Sequence, residues 1–297
     1  MINLKTKKIL VPFDFTETSE NAIKNAAFIA AITKGELIIL NVQKKNELLD
    51  LLLPKLNINK PNALSELISE KLSAEATQIQ KTYGVKTTSI FSSGKNIANE
   101  IVNISMENDI DLIVMGTQGG SSSSDLFTGS NTYRTLTKSE LPILTIRNAP
   151  PKKGYANIVL PIDLSAHTRQ KVNVALQFAK LFGAKIYVIG IYNDSEKTDK
   201  FKIEVYVRQI EKEAKKQNVS INSDIVKTGN KVKKTLFFAK KVSGDVIIAM
   251  TDQDSEFKSV LLGNYIHQLI NNSKIPVLCL KPELGEITEG GTPGVPF

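Results

Sequence analysis

Lys8-Ile9-Leu10-Val11-Pro12-Phe13-Asp14-Phe15-Thr16 returns 149 residues later as Asn157-Ile158-Val159-Leu160-Pro161-Ile162-Asp163-Leu164-Ser165. In both stretches an apolar, β-branched run reaches a proline, and an aspartate and a hydroxyl residue follow. The same offset carries Glu36-Leu37-Ile38-Ile39-Leu40 onto Lys185-Ile186-Tyr187-Val188-Ile189. Further on, Asp111-Leu112-Ile113-Val114-Met115 matches Asp245-Val246-Ile247-Ile248-Ala249, and Leu141-Pro142-Ile143-Leu144-Thr145-Ile146 matches Ile275-Pro276-Val277-Leu278-Cys279-Leu280. The offset has fallen there to 134, so the second copy is 15 residues shorter, and residues 43–61 are the natural place for that deletion. The chain is a tandem duplication, and a repeat must be recognised before any fold is assigned.

Within each copy short apolar runs alternate with helical stretches. Runs at 8–13, 36–42, 85–91, 111–116 and 142–147 predict strands buried on both faces of a parallel sheet. Copy two repeats them near 156–162, 185–191, 219–226, 245–250 and 275–281. Between strands, 62–83 places Leu64, Leu67, Ile68, Leu72 and Ile79 at three- and four-residue steps, one apolar stripe. Residues 18–34, 95–108 and 129–139 read the same way. Strands alternating with helices predict an α/β protein of two tandem, doubly wound, open parallel-sheet domains. The expected division is 1–148 for the first domain, 149–155 for a linker punctuated by Pro150, Pro151 and Gly154, 156–282 for the second domain, and 283–297 for a flexible tail.

Composition narrows the class. The 297 residues are 41% hydrophobic and 23% charged, an ordinary globular balance. No apolar run approaches a membrane span, and the start of the chain predicts no secretory leader, because Pro12 and Asp14 interrupt the apolar run after Lys8. A single cysteine, Cys279, excludes an internal disulfide framework and a cysteine zinc cluster. Two histidines, His167 and His267, make a multi-histidine metal centre an unpromising reading, and both are expected to be structural residues of helices. No metal ligands are assigned, and a cytoplasmic location is expected. The 38 basic and 30 acidic residues divide unevenly: 16 and 15 up to residue 150, then 22 and 15, so +1 and +7. Lys231, Lys233, Lys234, Lys240 and Lys241 are little diluted by acids, but Phe237 and Phe238 beside them are expected to face the core. A nucleic-acid role is therefore not favoured.

Open α/β sheets bind ligands beyond the carboxyl ends of their strands, where strand order reverses. That rule selects Asp14, the region of Val42, Gly94, and the loop after Met115. The loop runs from Gly116 through Gly119 to Gly129-Ser130-Asn131-Thr132, where a helix opens. Glycines permit close backbone approach, successive N–H groups form an anion nest, and a helix N-terminus favours negative charge. A mobile surface loop followed by an ordinary Ser/Thr helix cap explains the same residues.

Gly116-x2-Gly119-x9-Gly129-Ser130 resembles the nucleotide-binding signature of the universal stress protein family, G-x2-G-x9-G-[S/T]. Val11-Pro12-Phe13-Asp14-Phe15-Thr16 is similar to that family's first strand, Leu40-Asn41-Val42 to the end of its second, and Leu141-Pro142-Ile143-Leu144 to its last. The resemblance covers both copies. It implies a Rossmann-like domain that binds ATP or a related adenine nucleotide, with Mg2+ as an optional companion ion. Carried onto this chain, the nucleotide-binding set is Pro12, Asp14, Val42, Met115, Gly116, Gly119, Gly129, Ser130 and Asn131. Asp14 would accept from the adenine or ribose side, Val42 and Met115 would flank the base, and the glycines, Ser130 and Asn131 would hold ribose and phosphates. The bland alternatives are a turn or cap for Asp14 and core packing for Val42 and Met115. No lysine or arginine stands in 116–132, which leaves AMP, ADP and ATP undistinguished.

The second copy departs from the signature: Met250 and Gln253 stand where Gly116 and Gly119 stand, and Asp252, Asp254 and Glu256 would repel phosphate. Copy two is expected not to bind nucleotide, but to serve as a structural partner, joined through 142–147 and 275–281 as an intrachain pseudo-dimer. A homodimer and an unidentified protein partner are further expectations from the resemblance, and no membrane partner is expected. Residues 43–61 fit a short helix on the sheet edge, a lid, or an interaction surface. No catalytic residue is assigned, since no nucleophile–histidine–acid order or paired catalytic carboxylates appear. The expected role is a stress-response nucleotide sensor. The competing readings are a slow ATPase and a nucleotide-independent scaffold with a basic second half.

Overall fold

In a computed structural model of the chain the apolar runs form strands and the amphipathic stretches form helices; the structure describes residues 4–45, 63–117, 130–150, 154–165, 167–193, 197–227, 229–251 and 264–283. Copy one contains β1 (Lys8–Pro12), α1 (Glu17–Thr33), β2 (Glu36–Lys44), α2 (Ala63–Tyr83), β3 (Thr87–Gly94), α3 (Ile97–Glu107), β4 (Leu112–Gly116), α4 (Ser130–Lys138) and β5 (Ile143–Ile146). Copy two contains β6 (Asn157–Ile162), α5 (Lys171–Phe182), β7 (Lys185–Tyr192), α6 (Asp199–Lys216), β8 (Ile221–Lys227), α7 (Lys231–Lys241), β9 (Val246–Met250), α8 (Asn264–Asn272) and β10 (Val277–Leu280).

All ten strands join one sheet in the order β3-β2-β1-β4-β5-β10-β9-β6-β7-β8. Within each copy every neighbour is parallel, as helical crossovers require. The copies meet through a single antiparallel pair, with Leu278 opposite Leu144, Val277 opposite Thr145 and Cys279 opposite Ile143. Leu144 and Leu278 are the same position of the repeat, so a local two-fold axis passes between them, and each copy covers the other's apolar edge. The expected intrachain pairing of 142–147 with 275–281 is present.

Each face of the sheet carries one apolar layer that runs through both copies. One is built with α1, α2, α5 and α6, from residues such as Ile29, Leu72, Phe178 and Ile203. The other is built with α3, α4, α7 and α8, from Ile101, Leu136, Phe238 and Leu269. Polar contacts lock the junction. Tyr155, 1% exposed, donates to Asn25 Oδ1 at 2.6 Å, and Asn25 Nδ2 donates to the carbonyls of Asn21 and Asn148 at 2.7 and 3.1 Å. Phe28 of α1 stacks on Phe182 of α5 at 6.0 Å, and Arg147 donates to the carbonyl of Asn271 at 3.1 Å.

Two expectations change. Phe238 is buried, but Phe237 is 71% exposed: successive helical residues point about 100° apart, and the sheet takes only one of the two. His167 lies in a turn ahead of α5 rather than in a helix, while His267 sits on α8 against the ring of Tyr133 at 5.2 Å, across the junction. Residues 46–62, including most of the insertion, and the tail from 284 lie outside the described residues. No helix among the described residues is long and apolar enough to cross a membrane.

Candidate functional site

Strand order reverses between β1 and β4: the chain leaves β1 toward β2 and β3 and returns to β4 on the other side. A cleft of about 130 Å³ opens there, at the carboxyl ends of β1, β2 and β4. Leu40, Val42, Ile97, Ile101 and Met115 supply apolar surface; Asp14, Asn41, Asn131 and the hydroxyls of Thr16, Thr18 and Ser19 supply polar groups.

Local chemistry sets each residue. Pro12 ends β1, where it cannot donate to the ladder, and the next backbone N–H, of Phe13, bonds the carbonyl of Leu40 at 2.7 Å. Phe15 takes a left-handed φ of 62° and turns the chain into α1. Thr16 caps α1 in a capping box with Ser19. Asp14 Oδ1 accepts from the Thr16 amide at 3.2 Å and its hydroxyl at 2.6 Å. The expected turn role is therefore real, yet it uses only one oxygen: Oδ2 has no hydrogen bond among the described residues, and the side chain is exposed at the cleft.

Of the nine residues selected from the sequence, Pro12, Asp14, Val42, Met115, Gly116 and Asn131 line this one cleft. Ser130 opens α4 beside it, and Gly119 and Gly129 lie outside the described residues. Gly116 has a definite steric reason: a Cβ there would stand 3.0 Å from the carbonyl carbon of Thr18, against the first turn of α1. Thr132 also lines the cleft, and its hydroxyl donates to the carbonyl of Gly116 at 2.8 Å and ties α4 to the end of β4. Asn41 carries no obvious signal of its own. Its amide donates to the carbonyl of Phe13 at 2.8 Å and so fixes the turn before Asp14. Ile97 and Ile101 are lining residues that the strand-end rule does not reach, because they come from a helix.

The matching corner of copy two is built differently. Asp163 Oδ1 accepts from the amide and hydroxyl of Ser165 at 3.2 and 2.6 Å, as Asp14 does from Thr16. Its other oxygen is taken by the ammonium of Lys231, which stands at the position of Ile97. The same ammonium lies 4.1 Å from the centre of the Tyr265 ring, at the position of Asn131, and Tyr265 meets the Thr235 hydroxyl at 3.2 Å. Burial opposes the charge on Asp163, but Lys231 and Lys171, with hydrogen bonds from Lys231 and Ser165, outweigh it and hold the carboxyl well below the usual range. Met250 replaces Gly116, and the regular helix starts only at Lys171, although the position of Glu17 is 166. The oxygen left open in copy one is thus closed by an internal cation in copy two.

A model of the universal stress protein family matches residues 5–147 and, a second time, 154–281. The chain belongs to the universal stress protein family. Among its relatives, universal stress protein MJ0577 of Methanocaldococcus jannaschii is 31% identical over 154 residues, 48% of this chain and 94% of the relative. Universal stress protein YxiE of Bacillus subtilis is 27% identical over 146 residues, 47% of this chain and 98% of the relative. The crystal structure of a universal stress protein from Archaeoglobus fulgidus superposes with a TM-score of 0.70 at 19% identity, covering 93% of this chain and 99% of that one. That likeness extends the tandem fold across both copies.

Proposed function

We propose that this universal stress protein binds ATP or a related adenine nucleotide in its first domain, residues 1–148, and uses occupancy to set its conformation or its partner in a cytoplasmic stress response. The observation that carries the reading is the switch-point cleft, with an apolar wall for a base, an aspartate oxygen open to it, and Gly116 at the mouth of the glycine loop. The site suits the base and ribose best. Val42, Met115, Ile97 and Ile101 flank the ring, Asp14 accepts a donor, and the loop from Gly116 to Ser130 takes phosphates. Mg2+ would arrive with the phosphates, since the described residues contain no group of three or more His, Cys, Asp or Glu side chains able to hold a metal. The second domain, 156–282, is the structural half: Lys231 and Tyr265 fill the corner that a ligand would need.

Among the described lining residues Asp14 is the one titratable group, which suits binding better than hydrolysis. The test is isothermal titration of ATP, ADP and AMP into protein freed of nucleotide by heat release. One site per chain, weakened by Asp14→Ala and retained in Lys231→Met, supports the reading. Titrations without heat at millimolar ligand overturn it and leave the scaffold reading.

A further inference from the structure

The two copies contain one helix in nearly identical surroundings with opposite outer faces. The buried residues of α3 are Ala98, Ile101, Ile104 and Ser105; those of α7 are Val232, Thr235, Phe238 and Ala239, the same four positions of the repeat. The inner faces therefore meet the same packing demand. The corresponding positions of α3 hold Asn99, Glu100, Asn103, Met106 and Glu107, of which Glu100 is half-buried and accepts from the Ser92 hydroxyl at 3.1 Å. The outer face of α7 presents Lys233, Lys234, Phe237, Lys240 and Lys241 at those positions. The formal charge changes from −2 to +4, and an aromatic ring replaces an asparagine.

Packing does not explain the change. All four lysines are exposed, and Phe237 is 71% exposed. Lys233 and Lys234 stand in the first turn, where the helix dipole disfavours cations, and no acidic residue offsets them there. Among the described residues one carboxylate pairs with these lysines: Asp224 meets Lys241 at 3.2 Å, an open pair of little strength. Steps of three and four residues put the lysines on either side of the ring along one stripe about 12 Å long. An exposed ring between two pairs of cations has the chemistry of a platform for an anionic chain that carries flat apolar groups.

We propose that the outer face of α7 binds single-stranded nucleic acid, with Phe237 as a stacking platform for a base and Lys233, Lys234, Lys240 and Lys241 as contacts for the flanking phosphates. Charge complementarity selects a polyanion, and the exposed ring selects one with stackable bases. The inference is independent of the nucleotide cleft, which lies in copy one.

The test is fluorescence anisotropy of a labelled twenty-residue thymidine oligonucleotide, titrated with the full chain at several salt concentrations. Four phosphate contacts predict a log K against log salt slope of about −3. Phe237→Ala should weaken binding roughly fivefold to a hundredfold, and Phe237→Tyr should restore most of it. Lys240→Gln should weaken binding and flatten the slope by roughly 0.7. These surface variants should keep the wild-type melting temperature. Undetectable binding at 0.1 mM protein in 50 mM salt overturns the proposal. So does Phe237→Ala binding as tightly as wild type, which would mean diffuse attraction by net charge. Phe237-dependent capture by phosphatidylserine vesicles, with the oligonucleotide unbound, would identify a lipid surface and overturn it equally.

Discussion

Replacing Lys231 with methionine keeps an unbranched side chain and deletes the ammonium that closes the second copy's corner. The side chains of Lys231 and Asp163 are 28% and 17% exposed, so the pair lies between two regimes. An open surface pair contributes at most about 1 kcal/mol, whereas breaking a fully buried pair costs about 3–5 kcal/mol. Lys171 remains beside Asp163 in the variant and limits the loss. We expect a destabilisation of about 2 kcal/mol, and a fall in Tm of roughly 4–8 °C. The pH dependence has a definite sign. Asp163 ionises in the folded chain below its ordinary value of 3.8, so the pair's contribution is complete above about pH 4 and is lost as pH falls through the lowered native value. Urea unfolding of wild type and Lys231→Met, followed by circular dichroism from pH 8 to pH 2.5, should show a constant gap down to about pH 5 that narrows below about pH 4. Equal stabilities at pH 7, or a gap that persists undiminished into acid, would refute the reasoning.

Tyr155→Phe leaves the buried Asn25 Oδ1 without its donor, and chemical denaturation should show a loss of about 1–3 kcal/mol with unchanged nucleotide stoichiometry. The C-cap of α1 is Lys34 at φ 52°, while the matching cap of α5 is Gly183 at φ 62°. Lys34→Gly should therefore stabilise by about 0.5–1 kcal/mol, and Gly183→Ala should destabilise by a similar amount, both read from thermal melts. Asp14→Asn keeps an oxygen for the Thr16 cap, so Tm should hold, while calorimetric affinity for adenine nucleotide falls about tenfold as a charged acceptor becomes neutral.

The duplication carried most of the fold. Two aspartate-ended strands at one offset and two proline-led strands at another located the sheet, and the β5–β10 junction was implied by the family resemblance, which two apolar last strands fit. Asp14, Val42 and Met115 were legible as cleft residues because strand ends at a switch point follow from topology. Ile97 and Asn41 were not. A helix residue enters the cleft only through the packing of α3 on the sheet, and the role of Asn41 depends on a carbonyl 28 residues away. The closure of copy two was half legible. Met250 and Gln253 announced a changed loop, but the ammonium of Lys231 meets Asp163 across 68 positions of sequence, and no local pattern records that meeting. Phe237 and Phe238 mark the limit of composition. Adjacent aromatics in a basic helix cannot share one face, and only the direction of the sheet decides which is buried.

The asymmetry between the copies is tested most directly by counting sites. Calorimetric titration of adenine nucleotide into the emptied wild-type chain should give one site per chain, absent in Gly116→Val and unaltered in Lys231→Met. Two equivalent sites, or one that survives Gly116→Val, would contradict the account.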